Sequence, residues 1–232
     1  MPEKPQYNET LQKLKALSNP KAVEGMKRFG INPNNTYGVS IPNLRKMAKH
    51  VGTNHTLAQQ LWKSRIHEAR IIASMIDDPK MVTEEQLENW VKDIDSWDVC
   101  DQCCSNLFCK TSFAYQKAVE WSKQNQEFIK RAGFVLMAEL AVHDKKAKDT
   151  EFLKFLPIIK RESTDNRNFV KKAVNWALRQ IGKRNATLNK AAIQTAQQIQ
   201  TMKSKTAKWI ASDTLKELTS ANTQKRLEKA PC

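Results

Sequence analysis

The chain has 232 residues, enough for one large domain or two small ones with a substantial hydrophobic core. Its 39 Lys and Arg residues against 24 Asp and Glu give a formal net charge of +15, which favours a polyanionic partner. No stretch is long and apolar enough to span a bilayer, and the N-terminus lacks the apolar region of a signal peptide. We therefore expect a soluble cytoplasmic protein, associated with the nucleoid in a bacterial cell.

Hydrophobic periodicity predicts an all-α protein. There are only 6 Gly and 8 Pro, no segment alternates with period two, and apolar residues recur at i, i+3 and i+4. Helices are predicted near residues 8–17, 20–28, 41–51, 55–64, 67–76, 84–93, 97–109, 112–123, 126–141, 149–161, 166–182, 186–199 and 204–219. No low-complexity linker interrupts them, so we predict a single domain over 1–232, with N-terminal repeats at about 7–36 and a frayed tail over 225–232.

The length and alternation of these helices predict how they are arranged. Short polar connections favour antiparallel neighbours, and successive pairs predict an α-solenoid of HEAT-like or ARM-like repeats of about 40 residues with a concave basic groove. A compact helical bundle is the alternative. A solenoid differs from a bundle in offering one continuous surface that can follow a rod-shaped ligand.

The first candidate site in chain order begins after Asp95-Ser96, which predicts a helix start. Trp97 and Asp101 follow four residues apart and are therefore neighbours on one helix face. An indole ring attracts cations, and a carboxylate beside it can stabilise developing positive charge or orient a water molecule. In the alternative, Trp97 packs in the core and Asp101 pairs with a nearby cation. These residues alone leave both interpretations open.

A cluster of cysteines occupies the same segment. Four of the five cysteines are Cys100, Cys103, Cys104 and Cys109, and an odd total argues against a disulfide framework. No second ligand pair follows at zinc-finger spacing, and the four histidines are scattered, so we expect no metal site. We interpret the cysteines as small side chains packed inside a helix.

Arg131 opens a very apolar helix that runs to about Val142. A lone arginine at the mouth of a buried helix needs a partner or must reach solvent. Asp101 and a phosphate group are both suitable partners. The polar clusters that begin at His67 and His143 lie at helix ends, and we interpret both as structural.

The helix near 166–182 carries an aromatic residue on a cationic face. Its apolar stripe consists of Val170, Val174, Ala177, Leu178 and Ile181. Trp176 lies on nearly the opposite side, flanked by Lys172, Arg179 and Lys183. A surface of this kind suits a flat anionic ligand such as nucleic acid. A Trp176 covered by a neighbouring helix or by lysine stems is the alternative, and the helix alone does not decide between them.

Taken in order, these motifs resemble a known family. Trp97-Asp98-x-x-Asp101, then Lys130-Arg131-Ala132, then the segment from Val170 through Trp176 to Arg179 resemble the AlkD-type DNA alkylation repair family, which consists of HEAT-like-repeat DNA glycosylases. The resemblance extends from about Tyr37 to Arg184. It implies hydrolysis of the N-glycosidic bond of positively charged alkylated purines, N7-alkylguanine and N3-alkyladenine, in duplex DNA, without a deep base-flipping pocket.

The resemblance also implies roles for individual residues. Trp97 and Trp176 would be aromatic walls beside the deoxyribose, Asp101 the carboxylate near the sugar, and Arg131 a cation close to that carboxylate. The predicted DNA-binding residues are Lys171, Lys172, Arg179, Lys183 and Arg184. We expect a monofunctional enzyme with no metal and no cofactor, acting as a monomer on double-stranded DNA that carries alkylated bases, and not on membranes.

Two other function classes remain open at this point. The charge of +15 equally suits a non-catalytic DNA-binding helical-repeat protein that recognises damaged or branched DNA. A protein-interaction scaffold with an acidic partner is a third possibility, although it leaves the cationic face around Trp176 unexplained. The N-terminal segment at about 7–36 does not align with the first repeats of the family.

Overall fold

The computed structural model describes residues 4–229, and within that range every regular element is a helix. The all-α prediction is therefore confirmed. Contacts divide the chain into two compact units, one up to Ser112 and the other from Phe113. The prediction of a single domain stays a prediction. Within residues 4–229, no helix has both the length and the apolar character needed to cross a membrane.

Between Lys4 and Ser112, the first unit contains seven α-helices and a short 3-10 turn at Phe108–Lys110. The helices are α1 (Lys4–Ala16), α2 (Pro20–Arg28), α3 (Ile41–Val51), α4 (His55–Lys63), α5 (His67–Ile76), α6 (Glu84–Asp93) and α7 (Trp97–Asn106). Helix α5 packs against α3, α4 and α7, and nine of its ten residues are buried. It is therefore the centre of this unit.

The second unit contains the remaining eight helices between Phe113 and Lys229. They are α8 (Ala114–Trp121), α9 (Glu127–His143), α10 (Asp149–Leu153), α11 (Phe155–Glu162), α12 (Asn168–Gly182), α13 (Ala186–Gln200), α14 (Lys205–Leu218) and α15 (Ala221–Lys229). Every residue of α9 from Ile129 to Ala141 is buried. Helices α8 and α12 cover α9, and α14 packs against α12.

Several helices begin where their capping residues predict. Asn19 accepts a hydrogen bond from the amide of Ala22 at the start of α2, and Thr83 accepts one from Gln86 at the start of α6. Ser96 also stands at a helix start, before α7, but its hydroxyl accepts the amide of Asn32 instead of capping the helix. A long-range contact thus replaces a local one at that position.

Hydrogen bonds between helices recur at a constant chain separation. In the first unit the separation is 31 residues for Tyr37 with Glu68, Trp62 with Asp93, and His67 with Asp98. In the second unit it is 38 residues for Arg131 with Phe169, Lys160 with Gln198, Asn175 with Asp213, and Arg179 with Glu217. Tyr37 lies before α3, and each of the other bonds joins a helix to the corresponding helix of the next pair, which is the property of a repeat protein.

Apart from small shifts of their ends, the observed helices differ from the predicted ones at three points. The helix predicted over 97–109 ends at Asn106, and the 3-10 turn follows it. The segment predicted as one helix near 149–161 is interrupted at Lys154, because Pro157 has no amide hydrogen to donate to the carbonyl of Leu153. The tail predicted to fray from residue 225 instead continues as α15 to Lys229. Leu227 is buried there and Arg226 donates to the carbonyl of Lys183, so packing orders this stretch. Residues 230–232 lie outside the described range.

Candidate functional site

Helix α7 separates a buried face from a half-exposed face. Val99, Cys100, Cys103 and Cys104 are fully buried. Trp97 and Asp101 are half-buried and lie one helical turn apart on the other side. Both residues can therefore present their side chains away from the core of the first unit, at the N-terminal end of the helix.

The indole of Trp97 is held by the connector between α2 and α3, residues 29–40. Its Nε1 donates to the carbonyl of Phe29 at 3.1 Å, 68 residues earlier in the chain. Two further bonds attach Asn32 to the start of α7: its amide donates to Ser96 Oγ at 2.9 Å and its side chain to Asp95 Oδ2 at 2.6 Å. These contacts fix the entry to α7 and with it the direction of the Trp97 ring. The separation of the partners hides them from sequence reasoning.

The connector itself is anchored by a buried carboxylate. Glu68 is fully buried on α5, and its carboxylate accepts the successive backbone amides of Tyr37, Gly38 and Val39. Gly38 has a φ of +77°, which a residue with a side chain rarely adopts. The His67–Glu68 cluster thus has the structural role that the sequence predicts for it.

Asp98 pairs with a buried histidine of α5. His67 Nε2 lies 2.9 Å from Asp98 Oδ2, and His67 is buried. Burial lowers the pKa of His67, but the hydrogen bond and the charge of Asp98 outweigh this effect, and the pKa lies above its usual value. Asp98 therefore belongs to the packing of α7 against α5.

The cysteines of α7 lie in its core-facing side. Burial raises the pKa of Cys103 and Cys104 well above the usual value, so both are neutral thiols at physiological pH. Over the described part of the chain, no group of three or more His, Cys, Asp or Glu side chains is placed to hold a metal ion. The side chains of Cys100, Cys103 and Cys104 fill space between helices.

Arg131 lies near the N-terminus of α9 and is 5% exposed. Its guanidinium donates to the carbonyl of Phe169 in the first turn of α12 at 2.6 Å. The contact ties the N-terminal ends of α9 and α12 together. The pairing of Arg131 with Asp101, which the resemblance implies, stays a prediction.

Helix α12 has the buried stripe that its sequence predicts. Val170, Val174, Ala177, Leu178 and Ile181 are all fully buried, while Trp176 is half-buried and lies outside the stripe. Lys172, one turn before Trp176 on the same face, is exposed. Trp176 therefore has accessible ring surface with a cation beside it.

Two of the predicted DNA-binding cations are neutralised within the second unit. Arg179 forms ion pairs with Asp213 at 3.1 Å and with Glu217 on α14. Lys183 Nζ lies 2.7 Å from the other oxygen of Glu217. Burial raises the pKa of Glu217, but hydrogen bonds from Arg179 and Lys183 outweigh it and lower the pKa below the usual value.

A third predicted cation, Arg184, forms a hydrogen bond with a carbonyl in the last turn of α9. Its guanidinium donates to the carbonyls of Ala141 and Ala147, each at 3.0 Å, and lies 4.4 Å from the centre of the Phe152 ring. Arg184 and Lys183 also line an open cleft of about 300 Å³ together with Arg226 and Lys145. The positive charges offset the negative end of α9.

The six tryptophans divide into two groups. Trp62, Trp90 and Trp121 are buried, and the first two stack with their ring centres 4.1 Å apart. Trp97 and Trp176 are half-buried, and Trp209 is 43% exposed. Sequence reasoning missed Trp209, although Lys205 and Lys208 place it among lysines much as Trp176 is placed.

The structure brings the predicted site residues together in two sets. Trp97 and Asp101 share one face of α7 in the first unit. Arg131, Trp176 and the five predicted DNA-binding residues lie in the second unit, on α9, on α12 and just after α12. The role of each residue stays a prediction.

Comparison with known proteins identifies the family to which this arrangement corresponds. A family model described as "DNA alkylation repair enzyme" matches residues 10–218. The match includes most of the segment at about 7–36, which motif comparison does not align. It therefore spans helices from both units.

The proteins similar to this chain include a curated relative and a solved structure. An uncharacterized protein of Listeria innocua, Lin0241, is 25% identical over 130 residues, which is 54% of this chain and 58% of that protein. A solved structure described as "a new family of proteins related to the HEAT-like repeat DNA glycosylases with affinity for branched DNA structures" matches with a TM-score of 0.76 and 19% identity, covering 95% of each chain. At that identity the structural similarity concerns the fold, and the HEAT-like repeat prediction is confirmed.

Proposed function

This chain belongs to the DNA alkylation repair enzyme family, and on that premise we propose that it is a monofunctional DNA glycosylase. Its substrates would be N7-alkylguanine and N3-alkyladenine in duplex DNA. The observation that carries the proposal is the pair Trp97 and Asp101, half-buried one turn apart on α7, in a chain whose family repairs alkylated DNA.

The chemistry of the substrate determines what the site has to supply. Alkylation at N7 or N3 places a positive charge on the purine, which weakens the bond to the sugar. As that bond breaks, positive charge moves to the deoxyribose, which becomes an oxocarbenium ion. A group that stabilises the sugar cation more than it stabilises the ground state accelerates the reaction.

Asp101 is the residue we assign to that task. A carboxylate near the sugar stabilises the oxocarbenium ion electrostatically and can orient the attacking water molecule. The ring face of Trp97 adds cation–π attraction of about 1–2 kcal/mol in a partly desolvated site. The bond from Trp97 Nε1 to the carbonyl of Phe29 restricts rotation of that ring, so less order has to be acquired on binding.

Release of 7-methylguanine from methylated duplex DNA tests this assignment. A carboxylate contribution of about 3 kcal/mol predicts that Asp101→Asn lowers the rate about 100-fold. Asp98→Asn is the matched control, because Asp98 lies on the same helix but bonds to His67, and its variant should retain the rate. Equal release by wild type and Asp101→Asn contradicts the assignment.

The lesion's own charge supplies a second control. A duplex that carries uracil, a neutral base, should yield little or no free base, because its leaving group is not already cationic. Uracil release at the same rate as 7-methylguanine release contradicts the mechanism, even if Asp101 proves essential.

A second candidate function is non-catalytic recognition of branched DNA. The solved structure that covers 95% of this chain comes from a family described as having affinity for branched DNA, and the net charge of +15 suits any DNA partner. In that case folded wild-type protein binds a four-way junction tightly and salt-sensitively but releases no base. Base release that depends on Asp101 excludes it.

A further inference from the structure

A basic aromatic surface lies at the N-terminal turns of α12 and α14. We define the Trp209 surface by Lys171, Lys172, Lys205, Lys208 and Trp209. The Trp209 ring is 43% exposed, and Lys171 Nζ on α12 lies 5.5 Å from its centre. Lys172, Lys205 and Lys208 are exposed. The surface therefore combines four cations with an accessible indole.

The requirements of folding do not account for this combination. Neither α12 nor α14 has an acidic residue in its first turn, and lysines near a helix N-terminus interact unfavourably with the helix dipole. Asp213, one turn after Trp209, is already engaged by Asn175 and Arg179. An indole left exposed in such a place adds little to the core. An anionic ligand with flat apolar parts would relieve both disadvantages.

The Trp209 surface adjoins the proposed glycosylase residues of the second unit. Lys171 and Trp209 are 38 residues apart, the separation that also links Arg131 to Phe169. Helix α12 thus contacts α9 and α14 near its N-terminal end. Lys172 lies next to Lys171 and one turn from Trp176 on the same helix face. The exposed Lys172 thus lies near Trp176 on α12, and its neighbour Lys171 contacts the Trp209 ring.

We propose that Trp209 is a stacking platform for an unpaired nucleobase of bound DNA. The indole stacks on the base, while Lys171, Lys205 and Lys208 contact the phosphates on either side of it. Aromatic stacking of this kind is independent of base identity, because every base has a flat face. The inference rests on the proposed function only in that the ligand is DNA, and base excision is not required for it.

Affinity for two DNAs of equal length tests the proposal. One is a fully paired duplex and the other carries a short single-stranded gap. Trp209→Ala should weaken binding to gapped DNA about tenfold and leave binding to the paired duplex within about twofold, since a stacked base contributes about 1–3 kcal/mol. Trp209→Phe retains an aromatic face and should keep most of the affinity. Circular dichroism of each variant verifies that it is folded.

Fluorescence provides a readout that does not depend on affinity. A tryptophan stacked on a base is quenched, so saturating gapped DNA should quench wild type more than Trp209→Phe. Equal quenching, or a Trp209→Ala variant that binds both DNAs like wild type or loses both equally, overturns the proposal. If a variant loses 7-methylguanine release while its gapped-DNA affinity and its fluorescence quenching stay unchanged, the result bears on the glycosylase assignment alone. Trp209-dependent binding without base release leaves the stacking platform intact and rejects the glycosylase.

Discussion

Two aspartates three residues apart on α7 have different surroundings. Asp98 lies beside the buried His67, whereas Asp101 lies one turn from Trp97 on the half-buried face. The order of Trp97, Asp101, Arg131 and Trp176 along the chain was enough to nominate them. That order does not predict the surroundings of these residues, because the carbonyl that orients Trp97 belongs to the distant Phe29.

Lys130, next to Arg131, is part of a mostly buried charge cluster. Its Nζ lies 2.7 Å from Glu162 and 3.5 Å from Asp165. Burial raises the pKa of Glu162, but hydrogen bonds from Lys130 and Arg161 outweigh it, and the pKa lies below its ordinary value of 4.5. The pKa of Asp165 is likewise lowered below 3.8, where hydrogen bonds from Arg167 and the charge of Lys130 outweigh burial. Lowered carboxyl pKa values stabilise the fold above the unfolded pKa and lose that effect as pH falls through the folded pKa.

Lys130→Met should therefore destabilise the protein in a pH-dependent way. At pH 7 the free energy of unfolding should fall by about 3 kcal/mol, because two carboxylates lose a buried partner. The deficit should shrink as the pH drops below the ordinary pKa values of Glu162 and Asp165 and the carboxyls protonate. Urea unfolding in steps from pH 7 to pH 3 measures it.

The exposed pair of Lys154 and Glu151 provides the matched control for that experiment. Their side chains are 65% and 39% exposed, so Lys154→Met should change stability by less than about 1 kcal/mol at any pH. A Lys130→Met deficit of the same size at pH 7 and pH 3 would show that packing, and not charge, holds this cluster.

At the scale of helices, periodicity predicts faces well and ends less well. The buried stripe of α12 follows from its sequence, since side chains at i, i+3 and i+4 share a face in any α-helix. The helical structure of α15 does not follow from its sequence, because its last turns are basic and their pattern predicts a solvated segment. Burial of Leu227 and the contact of Arg226 with Lys183 supply the stabilisation that local sequence lacks.

The approach of α8 to α9 depends on a single glycine. A Cβ added to Gly133 would lie 2.9 Å from Ser122 Cα and 3.0 Å from the carbonyl oxygen of Ala118, which are backbone atoms. Gly133→Ala should lower the free energy of unfolding by about 1–3 kcal/mol, because the two helices must move apart. Thermal and urea unfolding of the variant measure the loss.

Gly25 in α2 is the control for Gly133. No heavy atom lies within 4 Å of a Cβ added there, so Gly25→Ala should stabilise the protein by about 0.5–1 kcal/mol through helix propensity. If both alanines change stability in the same direction and amount, close packing at Gly133 is not the cause.

At the scale of the whole chain, the net charge of +15 does not mean that every cation is equally available to DNA. Some cations are exposed, and others are paired with carboxylates. Lys172 is exposed beside Trp176, whereas Lys183 is paired with Glu217. A cation that is already paired releases fewer counterions from DNA, so these two lysines should differ in their contribution to binding although the sequence presents them alike.

The salt dependence of DNA binding measures that difference. Lys172→Gln should reduce the slope of log Kobs against log salt concentration by about 0.9, the contribution of one phosphate contact. Lys183→Gln should reduce it less, because Glu217 already balances its charge. Equal reductions in a titration with fully paired duplex would mean that the ion pair opens when DNA binds.

The repeat pattern was only partly visible in the sequence. Helix lengths predict repeats of about 40 residues. The contacts give 38 residues in the second unit and 31 in the first. Loop lengths and helix ends set these values, and both depend on how neighbouring helices pack. The family match over residues 10–218 includes most of the N-terminal segment at about 7–36, which motif comparison alone does not align.

The sequence was sufficient to predict most of the helices, their buried faces and the residues that nominate a glycosylase site. Those properties depend on side chains within about one or two turns of each other. Three-dimensional packing established the orientation of Trp97 by Phe29, the neutralisation of Arg179 and Lys183 by Glu217, and the exposure of Trp209. Each of these depends on partners at least 30 residues away, and which partners meet is a consequence of how all the helices together bury their apolar faces.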